Sequence, residues 1–265
     1  MDKSSLIGLI LGLVGVFVGM VLKGVPFSAL ANPAAILIIL VGTAGAVAIA
    51  MPTAQLKNIP TLFKIIFNDQ RLKTREEYIK MFMDFALIAR KEGLLALEAK
   101  IGEVDDQFLK NGLNLAIDGA SSEYIRDVMT EEIEAMSERH LANAMVFTQA
   151  GTYAPTLGVL GAVVGLIAAL GNMNDIEVLG HAIAAAFVAT LLGIFTGYVL
   201  WHPFANKLKM KSKEEQKIKQ LIVEGILSVQ EGQAPTLIQQ KLVAYLPIKE
   251  REAFLADNSG GKSDE

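Results

Sequence analysis

Four stretches of this 265-residue chain contain no Asp, Glu, Lys or Arg: Ser4 to Leu22, Gly24 to Leu56, His140 to Asn174 and Val178 to Asn206. Each supplies the ~20 predominantly apolar residues that cross ~30 Å of hydrocarbon as a helix. They predict membrane-spanning helices at about 5–22, 33–51, 149–171 and 181–201. The rest of the composition agrees, being 52% hydrophobic with a mean hydropathy of +0.41, too apolar for an ordinary soluble domain. The expected fold class is therefore an all-α membrane protein with four spans.

Charge gives the orientation. Segment 52–147 carries 12 Lys and Arg and the tail 203–265 carries 10, whereas connections 23–32 and 172–180 carry one and none. The positive-inside bias puts the long insert, the tail and both termini in the cytoplasm of a plasma-membrane protein. Lys207, Lys209, Lys211 and Lys213, just past the last span, carry most of that argument because long loops cross regardless of charge. A competing reading takes Lys3, the apolar run and "SALANP" as a secretory signal with an Ala29-x-Ala31 cleavage site. The run is longer than a usual signal core and Asp2 weakens its positive start, so span one is retained.

The chain then divides into 1–52 with spans one and two, a cytoplasmic insert at 53–147, spans three and four at 148–202, and a cytoplasmic tail at 203–265. Asn32-Pro33 reads as a capped start for span two. The insert reads as helices near 54–68, 75–92, 94–113 and 121 onward, with breaks at Gly93, Asn111-Gly112 and Asp118-Gly119-Ala120. From Ser121 to Gly171 there is one proline and no turn cluster, so span three is expected to extend as one helix from cytosol into membrane. Span four is expected to continue past Pro203, and the end, "DNSGGKSDE", to be disordered.

Several polar features lie in or near the spans. Gly8, Gly12, Gly15 and Gly19 form overlaid small-xxx-small patterns, which let backbones approach within the chain or between copies. Spans three and four carry Thr152, Tyr153, Thr156, Thr190, Thr196 and Tyr198. The ordinary reading of such hydroxyls is a bond to their own backbone at i−4. Pro155 and Pro203 read either as static kinks or as hinges. None of the four spans has a charged residue at mid-depth, so this chain alone is a poor ion carrier and another chain must bring the carboxylate.

Other chemistries are excluded. Zero cysteines remove disulfides and thiol catalysis. His140, His181 and His202 are scattered without ligand spacing, so neither a metal nor another cofactor is expected. His202 follows Trp201, whose ring is expected to anchor helix depth at the membrane interface. No phosphate loop, nucleophile elbow or zinc-protease motif occurs, so no enzyme is expected. A net charge of −4, with acids outnumbering bases in the insert, leaves no nucleic-acid partner. Within "ARKEGLLALEAKI", Arg90 and Glu98 would share one charged strip if the run were helical; the ordinary alternative is a solvated face.

The segments "NPAAILIILVGT", "ARKEGLLALE", "MTEEIEAMSERH", "AGTYAPTLGVLGAVVGL", "AAAFVATLLGIFTGYVLWHPFANKLK" and "EGQAPTLIQQKL" resemble the A subunit of the bacterial flagellar stator, the MotA/PomA/MotP family, closest to the MotA branch of Gram-positive bacilli. The resemblance implies five A chains around two B chains, which attach to peptidoglycan and whose membrane helices bring the missing aspartate. It implies that spans three and four form the wall of the ion path. By position it places Pro155 beside the B aspartate, Pro203 at the cytoplasmic end as a coupling hinge, and Thr190 on the ion route. It gives Arg90 and Glu98 the role of engaging a FliG-type protein of the rotor's switch complex, so that residues 53–147 generate torque. Sodium-driven members resemble "GTLVG" after the span-three proline, whereas this chain reads Gly161-Ala162-Val163-Val164-Gly165. Ala162 lacks the hydroxyl that would add an oxygen ligand, which favours protons over sodium.

Three alternatives are weaker. A sodium-driven stator of the same family conflicts with Ala162. An ExbB- or TolQ-like energiser has three spans, with its large cytoplasmic part after the first rather than the second. A self-contained substrate transporter would show intramembrane charge or matched broken helices in two repeats, and none is visible.

Overall fold

The computed structural model describes residues 2–25, 27–68, 73–171 and 173–259, the last three as backbone. Among them every regular element is helical. Four helices are long and apolar enough to cross a membrane: α1 (Lys3–Leu22), α2 (Pro33–Ala50), α8 (Ser122–Leu170) and α9 (Ile176–Gln230). Between α2 and α8 lie α3 (Thr53–Lys57), α4 (Ile59–Phe67), α5 (Arg75–Glu92), α6 (Glu98–Ile101) and α7 (Gln107–Ile117), and after α9 come α10 (Pro235–Leu242) and α11 (Ile248–Ser259).

Local chemistry explains most boundaries. Asp2 and Asn32 cap α1 and α2, accepting hydrogen bonds from the backbone N–H of Ser5 and Ala35, each at 3.1 Å. Thr74 and Glu77 close a reciprocal capping box on α5, which ends at Gly93 with φ +87°. Asp106 opens α7 by accepting from Phe108 and Leu109, and Gly119 at φ +80° follows its end.

Several expected boundaries need correction. The helix that carries span four begins at Ile176, ahead of the expected span at 181, because Asp175 is a cap, accepting from the N–H groups of Glu177 and Val178. The expected helix 54–68 is split at Asn58, before Pro60. The expected helix 94–113 is a 3-10 turn at Leu94–Leu97, then α6, an irregular stretch over 102–106 and α7. The break expected at Asn111-Gly112 does not exist: Gly112 lies inside α7, where a Cβ would come within 2.5 Å of Ile226 and Met129. The tail helix runs to Ser259, and the remainder of the polar end, 260–265, lies outside the described residues.

The chain divides into two compact units, Met1–Gln70 with Arg139–Lys211, and Arg71–Glu138 with Ser212–Glu265. In the first unit the spans bury little of themselves, 6% of the apolar window of α1 and 22% of that of α2. Their apolar surface is thus left for lipid or other chains. Its packed region joins Leu62 and Ile66 of the amphipathic α4 to Ala144 and Phe147 of α8 and Ala205 and Leu208 of α9. Phe63 meets Phe147 edge-on at 5.1 Å, and such pairs contribute ~0.5–1.5 kcal/mol beyond their buried area. Trp201 stacks on Phe147 at 6.0 Å with its indole N–H buried, so its ring belongs to this cluster rather than to a depth anchor facing the membrane interface.

The second unit is an ordinary soluble-type core. Tyr78, Phe82 and Phe85 of α5, Leu109 and Leu113 of α7, Ile125 and Met129 of α8, Ile222 and Ile226 of α9, and Ile238 and Leu242 of α10 are all buried in it. Each such side chain contributes ~1.5–3 kcal/mol by leaving water. Arg75 pairs with Glu214, and Glu224 receives both Arg126 and Lys241 around its edge.

Candidate functional site

Spans three and four meet along a seam of small residues. A Cβ on Gly158 would lie 2.8 Å from the Ala189 carbonyl oxygen, and one on Gly193 would lie 2.7 Å from that of Ala154. Gly161 faces Ala189 and Gly165 faces Ala186, each at 3.3 Å from the built Cβ. Backbone thus meets backbone over about three turns, the close approach that small residues permit where no hydrophobic drive exists. Gly158, Gly161 and Gly165 of span three therefore pack against span four of the same chain. In span one only Gly12 works this way, against Val199; a Cβ on Gly8, Gly15 or Gly19 would find nothing within 4 Å.

Pro155 and Gly197 share one contact, the ring carbons lying 2.7 and 2.8 Å from a Cβ built on Gly197. Pro155 donates no hydrogen bond, so the Gly151 carbonyl one turn earlier loses its helical donor. That oxygen also faces Gly197, 2.9 Å from the built Cβ. Ala162 lies seven residues beyond Pro155, about 20° away around the helix, so the two share a face. Thr190 is half-buried and lies four residues after Ala186, which faces Gly165, so the two are about 40° apart around the helix and share a face. Pro155, Ala162 and Thr190 are therefore brought to one seam.

The hydroxyls follow the ordinary pattern. Thr152, Thr156, Thr190 and Thr196 donate to the carbonyls four residues earlier, at 3.0, 3.2, 3.4 and 2.8 Å. A hydroxyl with its one proton committed still offers acceptor lone pairs. At Thr190 these sit beside a seam free of charged side chains. Tyr198 is 64% exposed and its ring lies 5.3 Å from that of His202, which packs over Gly151.

Below the seam, α9 changes geometry. Thr196–Trp201 form a π-turn, and His202 donates to Gly197 five residues back. Pro203 follows, exposed on a cavity of about 400 Å³ lined by Ser4, Gly8, Tyr198, Phe204 and Lys207. A wide turn before a proline relieves the clash of its ring with the preceding carbonyls. The sequence shows the proline but no sign of the wide turn.

Arg90 and Glu98 lie in the second unit, both exposed. They are not on one helix: Gly93 ends α5 after Arg90, and Glu98 begins α6. Among the described residues neither forms an ion pair with the other. No cluster of potential metal ligands occurs among the described residues.

One group was missed by sequence reasoning. Asp2, 7% exposed, pairs with Lys207 at 2.7 Å and Lys211 at 3.3 Å. Burial opposes its ionisation, but hydrogen bonds from Lys207, Ser4, the Ser5 N–H and Lys211 outweigh that and hold its carboxyl well below the usual range. The basic run after span four was the available signal, but nothing in the sequence pairs it with residue 2.

Comparison with known proteins is extensive. Residues 6–93 match the family described as motility protein A N-terminal, and residues 100–220 the MotA/TolQ/ExbB proton channel family. Motility protein A of Bacillus subtilis (strain 168) is 65% identical, with 100% of each chain covered. The chemotaxis protein PomA of Vibrio alginolyticus is 32% identical over 93% of this chain and 96% of its own. Among solved structures, the flagellar MotAB stator complex from Bacillus subtilis aligns with a TM-score of 0.92 and 67% identity, covering 96% of this chain and 99% of that one. MotAB of C. jejuni aligns with a TM-score of 0.89 and 31% identity, covering 94% and 97%.

Proposed function

The chain belongs to the motility protein A branch of the MotA/TolQ/ExbB proton channel family, and from that premise we propose that it is the A-type stator subunit of a flagellar motor, which turns proton flow into torque. The observation that carries this reading is a full-length match to motility protein A on a chain whose spans three and four meet along a seam of small residues without any charge of their own. A B-type partner of the MotAB kind then supplies the carboxylate. In a dry wall its protonated form is accommodated and its ionised form is held against hydroxyl and carbonyl dipoles, so proton arrival and departure change its contact with the wall.

In this reading Pro155 and Thr190 border the carboxylate, and Ala162 denies sodium an oxygen ligand. Pro203 is the hinge at the cytoplasmic end, five A chains surround two B chains, and Arg90 and Glu98 engage a FliG-type rotor protein. Both termini are cytoplasmic. This is supported by the Asp2 N–H, which donates to the Phe67 carbonyl at 2.9 Å and so ties the start of span one to the connection after span two. The match of residues 6–93 to motility protein A, and four spans rather than three, set the chain apart from energiser subunits.

The test is swimming in a strain lacking its own stator and supplied with this chain and its B partner, in media with and without sodium. Rotation independent of sodium is expected. No rotation would sink the stator reading, and rotation only with sodium would sink the assignment of the ion.

A further inference from the structure

Three separate segments meet at Asp2. Its backbone N–H donates to Phe67 at the end of α4, and its carboxylate caps α1 and accepts from Ser4 Oγ at 2.7 Å. The same carboxylate holds Lys207 and Lys211 of α9. Lys211 in turn donates to the carbonyls of Ile65 and Asn68 at 2.6 and 2.7 Å, so it neutralises the negative end of α4. Lys207 also donates to Ser4 Oγ at 2.9 Å. Asp2 itself is buried and both of its carboxylate oxygens have partners, while Lys207 and Lys211 are partly exposed.

Its position gives it significance. Pro203, Lys207 and Lys211 follow one another at four-residue steps, about 40° apart around the helix, so they share one face of α9. Span one lies along that face. Gly12 touches Val199 above the proline, the cavity of about 400 Å³ opens beside the proline itself, and Asp2 grips the helix below it. A bend at Pro203 has room in the cavity, but its lower arm is fixed.

We infer that Asp2 is a positioning residue for torque: it clamps the first two turns after Pro203 to span one and to α4, so that movement of span four is passed into the rest of α9 rather than lost at the proline. The inference rests on the stator reading, in which Pro203 is the hinge. A buried carboxylate facing two ammonium groups remains charged through physiological pH, so the clamp is permanent and is not a pH switch.

The experiment uses the full A–B complex in a strain lacking its own stator, reading torque per stator unit from the step in rotation speed as units join one motor. Membrane abundance is measured alongside. Asp2→Asn and, as a milder lesion that leaves Lys211 in place, Lys207→Met are compared with Asp2→Glu. We expect Asp2→Asn and Lys207→Met to lower the step by about two-fold or more, with units still joining, and Asp2→Glu to recover most of it. Unchanged steps, or fewer units with each step intact, would overturn the clamp and leave the stator reading standing. If the unsubstituted chain drives no rotation, both fall.

Discussion

Gly158 and Gly193 touch through their backbones: a Cβ on Gly158 would come within 3.0 Å of the Gly193 Cα, and one on Gly193 within 2.8 Å of the Gly158 Cα. Because the obstacles are main-chain atoms, no rotamer change relieves them. Gly193→Ala should separate spans three and four and cost about 1–3 kcal/mol. Thermal unfolding of the purified complex in detergent reads this out, and Gly15→Ala, whose Cβ meets nothing within 4 Å, serves as the tolerated control. Equal melting of the two variants would refute the seam's dependence on glycine.

Thr190 separates a packing role from an ion-path role. Its hydroxyl donates to Ala186 at 3.4 Å, a bond whose loss is minor in a membrane helix. Thr190→Val, which keeps the shape, should therefore leave assembly intact yet lower rotation about ten-fold or more, since a bordering hydroxyl of this kind is felt only by the ion. Thr190→Ser should retain most of it. Normal rotation in Thr190→Val would remove the residue from the ion route.

Arg90 and Glu98 do not pair, so their charges are expected to act separately on the rotor partner. Charge reversal at either should reduce swimming while membrane abundance stays constant. The double reversal Arg90→Glu with Glu98→Arg should be no better than the worse single variant. Recovery in the double variant would instead indicate that the two charges answer each other.

Tyr78 gives the second unit an alkaline limit. It is 2% exposed, and its hydroxyl donates to Asp106 at 2.6 Å. Burial, then the Asp106 carboxylate, push its pKa up from 10.0. The folded form therefore keeps its proton at pH values where the unfolded form has lost it. The stabilising contribution is complete below about pH 10 and is lost as pH rises through the folded value. Tyr78→Phe should cost about 1.5–3 kcal/mol at pH 7 and flatten the fall in stability above pH 10, measured by denaturant titration of the complex at pH 7 to 11. A variant with the same alkaline fall would clear Tyr78 of the effect.

The four spans were legible because hydrocarbon tolerates so few sequences, and α5 because Thr74 and Gly93 mark its ends chemically. What stayed hidden depends on neighbours. Asn111-Gly112 has the composition of a turn, yet Gly112 is needed within a helix because Ile226 and Met129 occupy the place of its Cβ. Asp175 and Glu177 look like loop charges until one becomes a cap. At the candidate site the residue types Pro155, Thr190 and Ala162 could be picked out, but not their common seam, since the partner of a glycine row is a tertiary fact. The Arg90–Glu98 strip failed for a local reason: a glycine at φ +87° ends the helix between them.

The π-turn at Thr196–Trp201 has one more consequence. Along span four the seam residues step by three and four, through Ala186, Ala189, Gly193 and Gly197, and then by five to His202. The extra residue turns the stretch of α9 from His202 to Lys211 by about 100° compared with an uninterrupted α-helix. Lys207 and Lys211 face Asp2 only because of that rotation. Loss of one residue from this hexamer would be a change of phase rather than of length. The side chains of α9 from His202 to Lys211 would keep their neighbours in sequence and exchange their neighbours in space.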